Sequence, residues 1–338
     1  MSAVSVVSVA RIAYLGPEGT FTEAALAGLT AAGRIPESGP GAPKLLSVES
    51  TPAALAAVRD GAADYACVPI ENSIDGSVMP TLDSLAVGSP LQVFAETTLE
   101  VTFSIVVRPD FETGPQTGAS GTRVRTVAAF PVAAAQVRQW LAAHLPNAEL
   151  RPAYSNADAA RQVAEGEVDA AVTSSLAATR WGLARLADGV VDEANARTRF
   201  VLAGRPGPPP PRTGADRTSV VLRIENQPGA LVTMLAEFSL RGIDLTRIES
   251  RPTRTELGTY MFFVDCVGHI DDDGVAEALK ALRRRCVDVR YLGSWPTGPV
   301  AGSDELVPWQ PDEAANWLAS VRAGKPELVQ NVRPGECS

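Results

Sequence analysis

The stretch most able to do chemistry is Asn195-Ala-Arg-Thr-Arg-Phe-Val-Leu-Ala-Gly204, which sets one hydroxyl, Thr198, between Arg197 and Arg199, with Phe200 beside them. An arginine fork grips a carboxylate through two parallel hydrogen bonds, whereas a lysine is only a point charge. A hydroxyl held next to such a clamp can donate to an oxygen of the bound anion. On this stretch alone, an exposed basic turn before a core strand is the simpler reading. In an extended strand Thr198 and Arg199 point to opposite faces, so both reach one ligand only if the chain bends there.

Other polar groups fall at strand-to-helix junctions. Gly16-Pro-Glu-Gly19 follows the strand Ile12–Leu15, and Thr20-Phe21-Thr22-Glu23 opens a helix with a capping-box pattern. Free N–H groups and the positive end of the helix dipole make such a turn an anion site. Tyr65–Ile70 reads as a buried strand that runs into Glu71-Asn72-Ser73, at the carboxyl end where open α/β sheets hold ligands. Asn72 and Ser73 can bind a carboxylate, cap the following helix, or do both.

The elements that must position these groups occur twice. Ser50 to Ile70 recurs at constant offset as Ser155 to Ser175, pairing Val58 with Val163, Gly61 with Gly166, Asp64 with Asp169 and Ala66 with Ala171. Upstream, Val124–Phe130 reads as a strand and Pro131 through Leu145 as one helix. The second copy brings Thr173 and Ser174 to a junction, with Gln136 one turn into the upstream helix. Two βαβαβ lobes, about 11–95 with 190–204 and about 100–188, then face one another across a cleft. Their helix–strand alternation predicts largely parallel sheets. Small ligands favour such clefts. The returning segment, Val190 to Gly204, carries Thr198 and Arg199 into it.

Residues 205–217 form a proline-rich, extended linker. The texture then changes. Val220, Leu222 and Ile224 alternate as a strand, and Asn226-Gln-Pro-Gly229 turns into a helix. Two more strands, a second helix and a last strand complete a βαββαβ, ferredoxin-like unit over 218–295. Its size and open edge predict pairing with a copy of itself. Beyond it, 296–338 reads as a tail with a short helix expected from Pro311 to Arg322 and no assigned function.

Composition narrows the function. A chain of 338 residues has room for two or three domains, and its apolar runs are too short to span a bilayer. Residues 1–10 lack the basic n-region of a secretory signal and read as a frayed leader or an early start. A net charge of −9 argues against nucleic acid and anionic membranes. Cys67, Cys266, Cys286 and Cys337 match neither zinc nor CxxC spacing, and Cys67 and Cys266 sit in apolar strand patterns, so those two are expected as buried free thiols in a reducing cytoplasm. His144 and His269 read as solvated turn histidines without partners. A histidine triad, a metal site and a cofactor are not expected.

These motifs together resemble the prephenate dehydratase family. Gly16-Pro-Glu-Gly-Thr-Phe-Thr22, Val68-Pro-Ile-Glu-Asn-Ser-Ile-Asp-Gly76, Ala170-Ala-Val-Thr-Ser174 with Ala177-Ala178, and Thr198-Arg-Phe200 stand in the family's order over 11–204. Residues 218–295 resemble the attached ACT domain, with Pro228-Gly-Ala-Leu231 and Glu249-Ser-Arg-Pro252 as its effector motifs. No mutase or dehydrogenase segment precedes Arg11, as in the monofunctional form. The family's His-Pro-Gln motif is replaced by Phe130-Pro131-Val132, which leaves Gln136 as the candidate there.

The resemblance implies a periplasmic-binding-protein-like catalytic domain and the conversion of prephenate to phenylpyruvate with loss of CO2 and water. Thr198 would be the proton donor. Thr20, Phe21, Asn72, Ser73, Gln136, Thr173, Ser174, Arg199 and Phe200 would hold substrate. L-Phenylalanine would inhibit through Asn226, Pro228, Gly229, Ala230, Leu231, Glu249, Ser250, Arg251 and Pro252, in a dimer or tetramer built through the ACT and catalytic domains. Arogenate dehydratase is a close alternative, since its substrate differs by an amine in place of the keto oxygen. A non-catalytic two-lobed sensor is the alternative from another class. The intact Thr198-Arg199-Phe200 and the lack of a DNA-binding segment speak against it.

Overall fold

The computed structural model describes residues 9–36, 41–111, 124–193, 196–253 and 259–297. Asn195, Cys337 and the helix expected at 311–322 lie outside them. Among the described residues no helix is long and apolar enough to cross a membrane.

The first lobe contains β1 (Arg11–Leu15), α1 (Phe21–Ala31), β2 (Lys44–Val48), α2 (Thr51–Arg59), β3 (Tyr65–Asn72), the short β4 (Gly76–Ser77), α3 (Met79–Ala86) and β5 (Gln92–Glu100). The second contains β6 (Phe103–Val107), β7 (Thr126–Ala129), α4 (Pro131–Gln136), α5 (Arg138–His144), β8 (Glu149–Pro152), α6 (Asn156–Ala164), β9 (Ala170–Thr173), α7 (Ser175–Arg180) and β10 (Ala184–Val190). The chain then returns as β11 (Arg197–Gly204). The last unit is β12 (Asp216–Arg223), α8 (Ala230–Ser239), β13 (Leu245–Pro252), β14 (Tyr260–Val267), α9 (Asp273–Arg285) and β15 (Asp288–Pro296).

Each lobe carries a mixed sheet, not the largely parallel one expected from helix–strand alternation. The first sheet runs β2-β1-β3-β11-β5, with β4 on β3, and the second β10-β6-β9-β7-β8. In each, three strands are parallel, and the segment arriving from the other lobe enters antiparallel: β11 between β3 and β5, and β6 between β9 and β10. That exchange of strands is the two-lobed architecture of periplasmic binding proteins. It also makes β11 a central strand, paired along both edges.

The internal repeat is a repeat of physical devices. Ser50 and Ser155 each cap a helix by accepting from the backbone N–H three residues on, at 3.2 and 2.9 Å. Gly61 and Gly166 stop those helices at φ of 76° and 78°. Asp64 and Asp169 each accept from the backbone at the start of the neighbouring strand, at 2.8 Å from Arg11 and 2.9 Å from Arg125.

One helix expected from Pro131 to Leu145 is broken at Val137 (φ −125°). Asp192 wedges into the break. Its N–H donates to the Gln136 carbonyl at 2.7 Å, and its carboxylate accepts from Gln139 N at 2.8 Å. A side chain inserted into the helical hydrogen-bond ladder is a recognised cause of a kink.

The third sheet is antiparallel, in the order β13-β14-β12-β15, with α8 and α9 on one face. Its other face does not hang from a linker. Val221, Met261, Phe263, Leu292 and Trp295 join one apolar core with Leu55, Leu82, Val93 and Val201 of the first lobe. Gly293 comes so close to β5 that a Cβ there would sit 2.3 Å from the Val93 carbonyl oxygen. The linker is pinned too. His269, expected in solvent, is 0% exposed; its Nε2 lies 3.0 Å from the Pro210 carbonyl and its Nδ1 accepts from Asp271 N at 3.1 Å. His144 is exposed, stacked on Trp140 at 4.4 Å.

Candidate active site

Thr198 sits near the start of β11, 8% exposed, directly opposite Asn72 on β3. The Asn72 amide Nδ2 donates to Thr198 Oγ1 at 3.0 Å. The amide's other end is fixed, because Oδ1 accepts from Ile74 N at 2.8 Å and from Asp75 N at 3.1 Å. This Asx turn decides which way the amide points. Thr198 therefore receives a hydrogen bond, and its own O–H remains to be donated.

Thr198 lines a cavity of about 1220 Å³ between the lobes, with Thr20, Phe21 and Phe200. Strand alternation places Thr198 and Phe200 on this side together. Thr20 caps α1, donating to the Leu15 carbonyl at 2.9 Å and accepting from Glu23 N at 3.4 Å. Ser155, Asn156 and Ala157 bring the start of α6 to the same cavity from the other lobe. Two helix N-termini thus meet across the gap, an arrangement suited to a small dianion.

Two cavity cations were not foreseen. Arg180, on α7 of the second lobe, donates to both carboxylate oxygens of Glu23 on α1, at 2.9 and 2.7 Å, and lies 3.1 Å from Glu18. Arg161 is held by Asp158 at 2.9 Å. The lobes are further joined by Ser174 Oγ, which donates to the Gly19 carbonyl at 2.6 Å, and by an edge-to-face contact of Phe21 with Phe103 at 5.7 Å. The repeat signalled the start of α6 through Ser155. Nothing local signalled Arg180, whose partner lies in the other lobe.

Several expected substrate ligands have other work. Arg199 points away from the cavity, 11% exposed, with its guanidinium 2.8 Å from Asp265, 3.3 Å from Glu71 and 3.8 Å from Glu96. The irregularity in the β3–β11 register falls after it, between Arg199 and Phe200, and does not turn it inward, so Arg199, expected to hold substrate, does not line the cavity. Burial drags the Arg199 pKa down, but Asp265 and Glu96 outweigh that and hold it above its ordinary value. Ser73 staples β3 to β11, its N–H donating to the Arg197 carbonyl at 2.8 Å and its Oγ accepting from Arg197 N at 2.9 Å. Ser174 caps α7, Thr173 donates to the Asn156 carbonyl, and both are buried. Gln136 is buried at the kink, and its Oε1 has no partner.

In the third domain, Gly229 begins α8 in the left-handed region (φ 82°), with no side-chain cap on the free N–H groups. Asn226, Pro228 and Gly229 are exposed beside it, and Ala230 and Leu231 form its first turn. On β13 the side chains alternate. Glu249 accepts from Ser77 Oγ at 3.2 Å and Arg251 grips Asp83 at 2.9 Å, both towards the first lobe. Ser250 and Pro252 are exposed on the other face.

A cleft of this kind, with a hydroxyl donor and two helix N-termini between the lobes, defines a two-lobed α/β protein with a site suited to a small anion. Comparison with known proteins gives the particular family. Residues 12–208 match the prephenate dehydratase family model and 218–284 the ACT domain model. The prephenate dehydratase of Mycobacterium tuberculosis (strain ATCC 25618 / H37Rv) is 77% identical over 96% of this chain and 98% of its own. The crystal structure of prephenate dehydratase in complex with L-Phe from Arthrobacter aurescens is 38% identical, with a TM-score of 0.74, covering 93% of this chain and all (100%) of that one. GqqA, described as a novel type of quorum quenching acylase, is 30% identical with a TM-score of 0.71, covering 86% of this chain and 98% of its own. The chain belongs to the prephenate dehydratase family and carries a C-terminal ACT domain.

Proposed function

We propose that the chain is a carbon–oxygen lyase that converts prephenate to phenylpyruvate, with Thr198 as the proton donor. The observation that carries this is the Asn72–Thr198 bond, which leaves the Thr198 proton to be given to an oxygen in the cavity. When the bond from the ring to its carboxylate breaks, CO2 departs and the electron pair moves through the ring. The C4–oxygen bond breaks and the ring becomes aromatic. One proton, delivered to the leaving oxygen, releases it as water. The driving force is aromatisation, so the protein needs to orient the dianion and supply that proton. The starts of α1 and α6, with Arg180, suit the two carboxylates. Phe21 and Phe200 suit the ring.

L-Phenylalanine is the proposed effector, bound where α8 begins and where β13 offers an unpaired edge. The relative crystallised with L-Phe supports this. Ile248 on that edge and Tyr260 on β14 are each 47% exposed, which supports a homodimer or tetramer through the ACT sheet. Burial pushes the Cys67 and Cys266 thiols up to about 12, so both stay protonated and inert, consistent with a cytoplasmic setting.

The test is turnover of prephenate by Thr198→Ala and Thr198→Ser, following phenylpyruvate. Loss of about 10²–10⁴-fold in Thr198→Ala, with partial recovery in Thr198→Ser, is expected of a proton donor. Wild-type turnover in a folded Thr198→Ala would end this reading.

A further inference from the structure

Behind the Asn72–Thr198 hydrogen bond, on the opposite face of the same two strands, lies a buried ionic cluster. In the register of β3 and β11, Thr198 faces Asn72 and the next pair is Arg199 with Glu71. The residue adjoining Thr198 and the residue adjoining Asn72 are thus themselves ion-paired, at 3.3 Å. The register slips immediately afterwards, between Arg199 and Phe200, so the ladder is locally disrupted at this point.

The cluster joins two domains by exchange of partners. Arg199 of the first lobe reaches Asp265 on β14 of the ACT sheet, at 2.8 Å. Arg217 of the ACT sheet reaches Glu96 on β5 of the first lobe, at 3.1 and 2.8 Å. Arg247 also grips Asp265, at 2.9 and 3.1 Å, Ser219 Oγ donates to it at 2.6 Å, and Trp295 Nε1 donates to Glu96 at 2.9 Å. Arg199, Arg217 and Arg247 balance Glu71, Glu96 and Asp265. Glu71 is partly exposed, at 39%, while Arg199, Arg217, Arg247, Glu96 and Asp265 are largely out of water, so a contact that Arg199 gives up to Asp265 is replaced mainly by Glu71 and Glu96.

Arg199 has such replacements in place. Its shortest contact is Asp265, and its longer ones, to Glu71 and to Glu96 at 3.8 Å, both lie in its own lobe. If the ACT sheet shifts by about an ångström, the guanidinium turns to Glu71, because a charged hydrogen bond weakens steeply as it lengthens. That turn pulls together the two residues whose neighbours make the catalytic hydrogen bond.

We propose that Arg199 is a positioning residue that ties Thr198 to the ACT sheet, so that the state of that sheet is read at the catalytic hydroxyl through the Asp265 contact. This rests on Thr198 being the proton donor and on the ACT domain sensing L-phenylalanine. Arg199 acts on the reaction from outside the cavity, through its strand.

The experiment uses the full chain with Asp265→Asn, Arg199→Lys and the double variant, each checked for folding by circular dichroism. Prephenate turnover gives kcat, KM and the L-phenylalanine concentration for half inhibition, and calorimetry gives L-phenylalanine binding. In Asp265→Asn, kcat should fall about fivefold or more with KM within about twofold, and half inhibition should need at least about tenfold more L-phenylalanine while its Kd moves by less than about threefold. The double variant should resemble the worse single one, since both remove the same contact. A merely structural role would weaken KM, binding and inhibition alike. Should Asp265→Asn not fold, Arg199→Lys and Ser219→Ala, which loosens Asp265 without leaving a buried charge, carry the same readouts.

Folded variants with unchanged kcat and unchanged half inhibition would overturn the proposal. Thr198→Ala runs in parallel. Activity retained there sinks the proton-donor reading, whereas an inactive Thr198→Ala beside a wild-type-like Asp265→Asn sinks the coupling alone. If calorimetry shows no L-phenylalanine binding to the wild type, the effector reading fails, and the split between kcat and KM decides the positioning role.

Discussion

The amide of Asn72 donates to the hydroxyl of Thr198 across one rung of the sheet, at 3.0 Å. Because Asn72 Oδ1 is occupied by two backbone N–H groups, the amide cannot turn over. Asn72→Asp keeps that turn and reverses the side-chain bond. The new carboxylate accepts the Thr198 proton and withholds it from the substrate. We expect kcat to fall by roughly 10²-fold or more, with melting temperature close to wild type. Steady-state kinetics beside a thermal melt check this. A variant with full kcat would show that the direction of this bond is irrelevant.

Arg180 lines the cavity while bridging to Glu23 in the other lobe. A carboxylate of the substrate would share it with Glu23. Arg180→Gln should raise KM for prephenate about tenfold to a hundredfold, the range of one charged hydrogen bond of roughly 1.5–3 kcal/mol. Isothermal binding of a dicarboxylate product analogue checks the same loss without turnover. An unchanged KM would assign Arg180 to holding the lobes alone.

Gly293 reports how tightly the ACT sheet is seated. Its φ is 133°, and a Cβ would lie 2.3 Å from Val93 O, against backbone that cannot yield. Gly293→Ala should cost at least about 2 kcal/mol, from backbone strain and the clash together. Urea unfolding measures that. Since the ACT sheet would be pushed off β5, inhibition by L-phenylalanine should weaken in the same variant. A stability equal to wild type would mean that the two sheets approach less closely than described.

How much of this was legible depended on how far each signal lies from its cause. The cap at Thr20 and the turns at Gly61 and Gly166 are local, and capping chemistry with the repeat found them, whereas the caps at Ser50 and Ser155 came only with the structure. The repeat found the second lobe. Arg199 reads locally as an anion clamp, but its strongest partner, Asp265, is 66 residues away in another domain. Arg180 and Glu23 are 157 residues apart. No spacing rule reaches such pairs. The mixed sheets were missed for a related reason. Helix–strand alternation describes parallel units, while β6 and β11 are strands handed from one lobe to the other. Asp192 breaks the 131–145 helix from outside it, so the periodicity of that helix carries no trace of the break.

Asp265 gives the cluster a measurable acid response. Burial by itself would raise its pKa, but Arg247 and Arg199 overcome this and bring it down to about 2. In an unfolded chain an aspartate titrates near ~3.9. A carboxylate depressed by folding contributes stability that is fully present above the unfolded value and is lost as pH falls through the folded one. The loss attributable to Asp265 therefore lies between about 4 and about 2. Glu96 behaves oppositely: burial raises its pKa, against Arg199 and Trp295, so acid relieves its desolvation before Asp265 gains a proton. At pH 7 Asp265→Asn should destabilise by about 3–5 kcal/mol, since it leaves two guanidiniums short of a buried partner. The gap between wild type and variant should stay constant from pH 7 to about 5 and narrow towards pH 2 by at most about 2–3 kcal/mol, as Asp265 gains its proton and comes to resemble the amide. Urea midpoints over that range test it, and a gap that instead closes between pH 7 and 5 would place the titration on another group and remove Asp265 from the centre of the cluster.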